Sequence, residues 1–270
     1  MRNTIAFALV LTFCGAVSYL LLRPTRKVHG STAVEAAAVQ TFSYQDCDPV
    51  AQQGCLPGGK ELDYLESTGE RITTTQVGAN LNQTVIKGRG VFINYFADVN
   101  RHYTLQGPKW IAAGMQAVDR PKPEAGCTVS NATFGGDDHV QGYGVVKYTS
   151  QDPHGVSTVW LAPELNCLLL RQQEDWMENG QPSGHHFYKL AQSIQIGKRP
   201  DSDFAAPGTS TEVSPLEVQH QLFIWRSKRA DPSLQLDAIE SNWKLKEPQS
   251  AKNWAIPIAA WSRQHPGTTP

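Results

Sequence analysis

Three histidines are the residues best able to do chemistry in this chain. Asp137-Asp138-His139 and His185-His186 supply carboxylate and imidazole groups, the types that hold zinc-like ions and move protons in hydrolases. Successive strand residues point to opposite faces, so His185 and His186 would not both chelate one ion from a regular strand, although a loop would permit it. Gly135-Gly136 and Pro182-Ser183-Gly184 nearby favour polar turns over a metal centre. Asp201 and Asp203 lie two apart in a Pro/Ser-rich stretch, where carboxylates usually cap or solvate backbone. No nucleophile elbow, His-Glu-x-x-His, phosphate loop or dinucleotide fingerprint occurs. The residues therefore call for no cofactor, no metal and no catalytic set.

The cysteines carry more information. Outside an N-terminal apolar run there are four, Cys47, Cys55, Cys127 and Cys167. An even number in an exported body suggests two disulfides, with three connectivities open. Pairing Cys47 with Cys55 would close a small loop and leave Cys127 and Cys167 to join two distant strands. No Cys-x-x-Cys knuckle points to zinc.

Residues Ile5 to Leu22 form an uncharged run of 18 residues, nearly long enough as a helix to cross a hydrocarbon core of about 30 Å. A signal peptide needs small residues just after the run, and Arg23-Pro24-Thr25-Arg26-Lys27 follows instead. An uncleaved signal anchor is favoured over a signal peptide. Phe13 before Cys14 departs from the pattern of lipidated cysteines. The expected location is the cell envelope, anchored in the inner membrane with the body in the periplasm or outside the cell.

The 270 residues hold 24 basic and 25 acidic groups and are 40% apolar, enough for a packed core. The near-neutral total hides an asymmetry. Residues 1–27 hold four basic groups and no acidic one, which leaves 20 basic against 25 acidic in residues 28–270. That balance argues against nucleic acid as a partner.

Residues 28–41 are small and polar and read as a linker, and residues 45–70 read as irregular. Strand periodicity then dominates, at Thr68–Val77, Asn82–Lys87, Val91–Ala97, Val140–Ser150, Val156–Ala162, Cys167–Asp175 and His186–Ile196. Gly88-Arg89-Gly90 is a hairpin signal. Asn179-Gly180 suits a tight turn, although the segment joining its strands reads as longer than two residues. Lys109–Asp119, Leu216–Arg226 and Leu234–Leu245 read as helices, and the last ten residues as poorly ordered. The pattern predicts a mainly β (α+β) chain: a strongly curved antiparallel sheet or half-barrel with a few short helices and an N-terminal membrane helix. Its divisions are 1–27 anchor or signal peptide, 28–41 linker, 42–215 β domain and 216–270 helical, Pro/Trp-rich appendage.

Between Val140 and Pro207 the chain resembles a known family. Gly142-Tyr143-Gly144-Val145-Val146-Lys147 is similar to the Gly-Tyr strand of exported β proteins of the lipoprotein-sorting (LolA/LolB-like) superfamily. Trp160-Leu161-Ala162-Pro163-Glu164-Leu165 resembles a strand end found in uncharacterised members. Gly197 through Pro207 resembles their closing segment, with one extra residue before Pro200 and a different Phe spacing. The resemblance covers about a quarter of the chain and implies a half-barrel whose concave face holds apolar ligands, acyl chains of lipoproteins in the sorting proteins themselves. It brings no catalytic residues.

On that reading Ile93, Tyr95, Tyr143, Val145, Trp160, Tyr188 and Leu190 are the candidate lining, drawn from the strand faces, and each could equally be ordinary core. Three functions follow. The favoured one is a membrane-tethered exported β domain that binds or scaffolds, toward lipid or lipoprotein. The alternatives are a metal- or acid/base-dependent hydrolase using His139, His185 or His186, and a structural partner of another envelope protein with a Trp-rich tail at the contact.

Overall fold

The computed structural model describes residues 33–47, 53–77, 81–107 and 127–268. The proposed membrane helix and the helix expected at Lys109–Asp119 lie outside those residues. Among the described residues no helix is long and apolar enough to cross a membrane.

Twelve strands form one open, curved sheet. In chain order they are β1 (Ala36–Gln45), β2 (Leu56–Glu66), β3 (Arg71–Val77), β4 (Leu81–Gly88), β5 (Val91–Phe96), β6 (Arg101–Gln106), β7 (Thr133–Val140), β8 (Tyr143–Asp152), β9 (Gly155–Ala162), β10 (Leu168–Glu178), β11 (Gln181–Ile196) and the two-residue β12 (Thr211–Glu212). Strands β1–β6 make one meander and β7–β11 another, and antiparallel pairing of β1 with β11 joins them at the centre of the sheet. Only β12 is parallel to its neighbour, β6. Register shifts at Gln40/Thr41, Phe42/Tyr44, Leu169/Arg171, Asp175/Met177 and Phe134/Gly136 are bulges, each of which raises local twist and bends the sheet.

Turn chemistry explains the hairpins. Arg89 and Gly90 both have positive φ, 51° and 81°, and Gly88 pairs with Val91 across them, as a two-residue primed turn requires. Asn179 and Gly180 do the same at 51° and 76°, with Glu178 opposite Gln181. That connection is therefore two residues long, shorter than the sequence reading.

The linker reading fails from Ala36 onward. Ala36, Ala37, Ala38 and Val39 are 0–3% exposed and pair with β2 on one side and β11 on the other. Alanine has little intrinsic strand preference, and pairing on both sides overrides it. The stretch read as irregular likewise contains β2, whose Pro57-Gly58-Gly59 is absorbed where the register with β1 shifts.

Three helices follow the sheet: α1 (Pro215–Ala230), α2 (Leu236–Asn253) and α3 (Ala255–Gln264). Ser214 caps α1 by accepting the Glu217 backbone N–H at 3.1 Å, and Pro215 occupies the first turn, where no N–H is needed. Val218, Leu222, Ala260 and Trp261 pack on Phe92, Phe96, Tyr103 and Leu105. The C-terminal segment read as poorly ordered is helical as far as Gln264. On the opposite face Ala36, Ala38, Tyr64, Ile72, Ile86 and Ile93 pack under Phe204. β5 is thus buried on both faces, and even Asn94 is 0% exposed. Gln83 donates to Asn94 Oδ1 at 2.9 Å, and Asn94 donates to the Tyr103 hydroxyl at 3.1 Å, which satisfies it.

His102 on β6 yields a pH prediction. It is 7% exposed, its Nδ1 lies 2.9 Å from Ser210 Oγ, and Ser210 donates to the Pro207 carbonyl at 2.6 Å. The hydroxyl therefore accepts from Nδ1–H, which places the proton of the neutral ring on Nδ1. Burial holds the imidazole below its usual 6.5, opposed by Glu212. A histidine kept neutral by the fold stabilises it fully above the unfolded value of 6.5 and loses that contribution as pH falls below it. Urea unfolding midpoints are expected to drop as pH falls from 7 toward 5, and His102→Gln is expected to remove part of that slope.

Candidate functional site

The structure gathers four of the seven proposed lining residues. Val145 on β8 and Trp160 on β9 lie in one apolar cluster with Ala37, Val39, Leu168, Leu170 and Ala191, and the half-buried Tyr143 and Leu190 pack against it. Tyr188 is two residues from Leu190 on β11, half-buried, with its ring 6.3 Å from that of His186. Ile93 and Tyr95 do not join this group. Ile93 belongs to the cluster beneath Phe204, and the Tyr95 hydroxyl donates to Asn100 Oδ1 at 3.3 Å. They are separated because β5 sits in the other meander, four strands beyond β1.

Trp160 is the centre of the cluster's polar rim. Its indole N–H donates to Asp138 Oδ2 on β7 at 2.9 Å. The guanidinium of Arg171 on β10 lies over its ring at 4.5 Å. Register places Lys147, Trp160 and Arg171 directly opposite one another on β8, β9 and β10. The Asp138 carboxyl is held below its usual range by the His139 backbone N–H, then by the Trp160 indole, with Lys147 and Arg171 adding attraction. Asp138 Oδ1 accepts that N–H at 2.7 Å. Both carboxylate oxygens are therefore engaged.

A charged girdle separates this cluster from the helix-covered one, a feature no sequence signal announced. Register runs Ala37, Leu65, Arg71, Lys87, Phe92 across β1 to β5, which sets both clusters on one face of the sheet. Between them Arg71 pairs with Asp63 through two 2.8 Å bonds; within the first half Lys189 on β11 reaches Glu61 on β2 at 2.8 Å. The apolar strip is confined to the β1/β7–β11 half.

The histidines do not assemble a catalytic set. His139 pairs with Gly144 at one end of the β7–β8 ladder, whereas His186 pairs with Asp175 near the tip of the β10–β11 hairpin. There the rings of His185 and His186 diverge, as strand alternation requires. His185 Nδ1 is 3.1 Å from Asp46 Oδ2, and His186 Nδ1 is 2.7 Å from Asp175 Oδ1. The Asp46 carboxylate accepts the His186 backbone N–H at 2.9 Å and bridges the two strands. Among the described residues no group of three His, Cys, Asp or Glu side chains is arranged to hold a metal ion. Asp201 and Asp203 act structurally, Asp201 accepting from Arg89 at 3.0 Å and Asp203 pairing with Arg199 at 3.6 Å.

Both disulfides are present. Cys47–Cys55 spans eight residues beside the β10–β11 tip, and Cys127–Cys167 spans 40. The second lies within a cluster formed with Tyr148 and Leu161.

No protein-family model and no curated protein sequence matches the chain. Solved structures resemble it loosely. PNGF-II is 12% identical and aligns over 71% of this chain and 34% of its own at a TM-score of 0.43. The chain thus spans about a third of that protein's length. An uncharacterised conserved protein from Thermus thermophilus is 9% identical, over 73% of this chain and 98% of its own, at 0.39. A LolA-superfamily protein from Nitrosomonas europaea is 9% identical, over 63% and 90%, at 0.27. The last of these bears the superfamily name of the resemblance read from the sequence. At these scores it brings no ligand, partner or activity to this chain.

Proposed function

We propose that this is an exported, envelope-located binding protein that takes an acyl chain, of a lipid or of a lipid-modified protein, on the Tyr143–Trp160–Leu190 strip. One observation carries the reading: half-buried Tyr143 and Leu190 lie over a packed apolar floor that includes Val145 and Trp160. Apolar surface left half in water is what a chain ligand can cover, at roughly 0.8 kcal/mol per methylene buried. Two disulfides support an oxidising compartment. The uncharged run from Ile5 to Leu22 supports a membrane tether with the body outside the cytoplasm.

The test is titration of the purified full-length chain with a fluorescent fatty-acyl probe. Leu190→Asp is expected to weaken binding by about 30-fold, the equivalent of about 2 kcal/mol of lost apolar contact. Ile93→Val, away from the strip, is expected to leave affinity unchanged. Equal affinities for all three proteins would sink the proposal.

A further inference from the structure

Arg171 and Lys147 flank Trp160, and neither has an ion-pair or hydrogen-bond partner among the described residues. Other cations of the same sheet are engaged: Arg71 with Asp63, Lys189 with Glu61, Arg89 with Glu66, Glu70 and Asp201. The Arg171 guanidinium is nonetheless held in place, 4.5 Å above the ring of Trp160, which is itself 6% exposed. A guanidinium held over a ring by its face keeps its N–H donors available to an acceptor. Lys147 stands on the other side of Trp160, in the same cross-strand row. The one carboxylate alongside, Asp138, has both oxygens occupied by the His139 N–H and the Trp160 indole. Two cations against the single charge of Asp138 leave the rim of the strip positive by one. A planar, half-buried guanidinium with free donors matches a carboxylate or a phosphate, which accept two parallel hydrogen bonds.

We infer that Arg171, assisted by Lys147, is an anion subsite at the rim of the Trp160 strip, so that the ligand is an anionic amphiphile: an apolar chain ending in a carboxylate or a phosphate. The inference rests on the strip being the ligand site proposed above. The chain lies on the half-buried Tyr143 and Leu190, and the charged end meets the Arg171 fork. A protein ligand would need a broad complementary surface, whereas a single acyl chain with one charge uses both features at once.

Three probes of one chain length separate the parts: oleate, oleyl phosphate and oleyl alcohol, titrated calorimetrically below their aggregation limits into the purified full-length chain. The two anions are expected to bind at least about tenfold more tightly than the alcohol, the scale of one charge-assisted contact, and to weaken with added salt. Arg171→Gln is expected to erase the preference while the affinity for oleyl alcohol stays unchanged. Lys147→Gln, which leaves the Arg171–Trp160 stack intact, is expected to lower it about threefold and serves if Arg171→Gln lowers the unfolding midpoint. Oleyl phosphate binding above oleate points to a phospholipid source, and the reverse to free fatty acid. Equal binding of alcohol and anions to the unsubstituted chain overturns the anion subsite and leaves the apolar site standing. Failure of all three to bind overturns the apolar site itself.

Discussion

Replacing Cys127 and Cys167 together by alanine is expected to lower the stability of the folded chain by about 4 kcal/mol, the loop-closure entropy of a 40-residue cross-link. The two cysteines are buried, at 4% and 0% exposure, among Tyr148, Leu161, Val159 and Leu169. The Tyr148 hydroxyl donates to the Cys127 carbonyl at 2.6 Å. The bridge therefore pins the segment entering β7 to the floor of the second meander, where Asn166 and Cys167 take positive φ of 57° and 61° before β10 begins. Alanine leaves no unsatisfied hydroxyl in that apolar site, so the measured loss reports the cross-link and its packing. Domains of this size have about 5–15 kcal/mol in hand, so the loss takes up a large share. The comparison is built in: Cys47 and Cys55 are eight positions apart at a half-exposed edge, and the same relation assigns that bridge about 2.5 kcal/mol. Urea unfolding of the two double variants, without reductant, checks the order. A larger loss from the Cys47/Cys55 variant would overturn this account.

The legible part of the fold was the part whose signals are local. β3, β4, β5, β8, β9, β10 and β11 carry β-branched and aromatic runs bounded by turn residues, and the α1 and α2 segments carry helical spacing. β1, β2, β6 and β7 carry no such local signal. β1 is alanine-rich, β2 begins Leu-Pro-Gly-Gly, β6 is Arg-His-Tyr-Thr-Leu-Gln and β7 is Thr-Phe-Gly-Gly-Asp-Asp-His-Val. Such strands exist because neighbours pair with them, and pairing between residues 37 and 196, as at Ala37 and Ile196, leaves no trace in a window of ten residues. The site was legible to the same extent. Alternation placed Tyr143 and Val145 correctly together, and the Trp160 strand end with them. It could not place Ile93 in a different cluster, because Val-Phe-Ile-Asn-Tyr-Phe is apolar on both faces and the helices that select Phe92 and Phe96 begin only at Pro215. Arg171 was invisible as a site residue. Only the bulge at Leu169/Arg171 turns its side chain onto Trp160.

Trp261→Ala is expected to cost about 3–5 kcal/mol, the range for emptying a buried aromatic site, whereas Trp261→Phe is expected to cost less than about 1.5 kcal/mol. Trp261 is 6% exposed. It carries the α3 contact with Phe92, Phe96, Tyr103 and Leu105 of the sheet and with Val218 and Leu222 of α1, and its ring stacks on His265 at 4.1 Å. Truncation to alanine removes all of these contacts at once. They hold the last helix to β5 and β6, at the edge of the sheet where only the two residues of β12 add further pairing. Phenylalanine keeps one ring in the same place. It also deletes the indole N–H, which is buried without a hydrogen-bond partner among the described residues. An unpaired buried donor costs about 1–3 kcal/mol, so its removal offsets much of the apolar area lost with the smaller ring. The pair of variants separates packing from polarity. If packing governs, the Ala variant unfolds at markedly lower urea and the Phe variant stays close to the unsubstituted chain. A Phe variant as unstable as the Ala variant would mean that the indole N–H is satisfied and that the ring alone does not hold α3 in place.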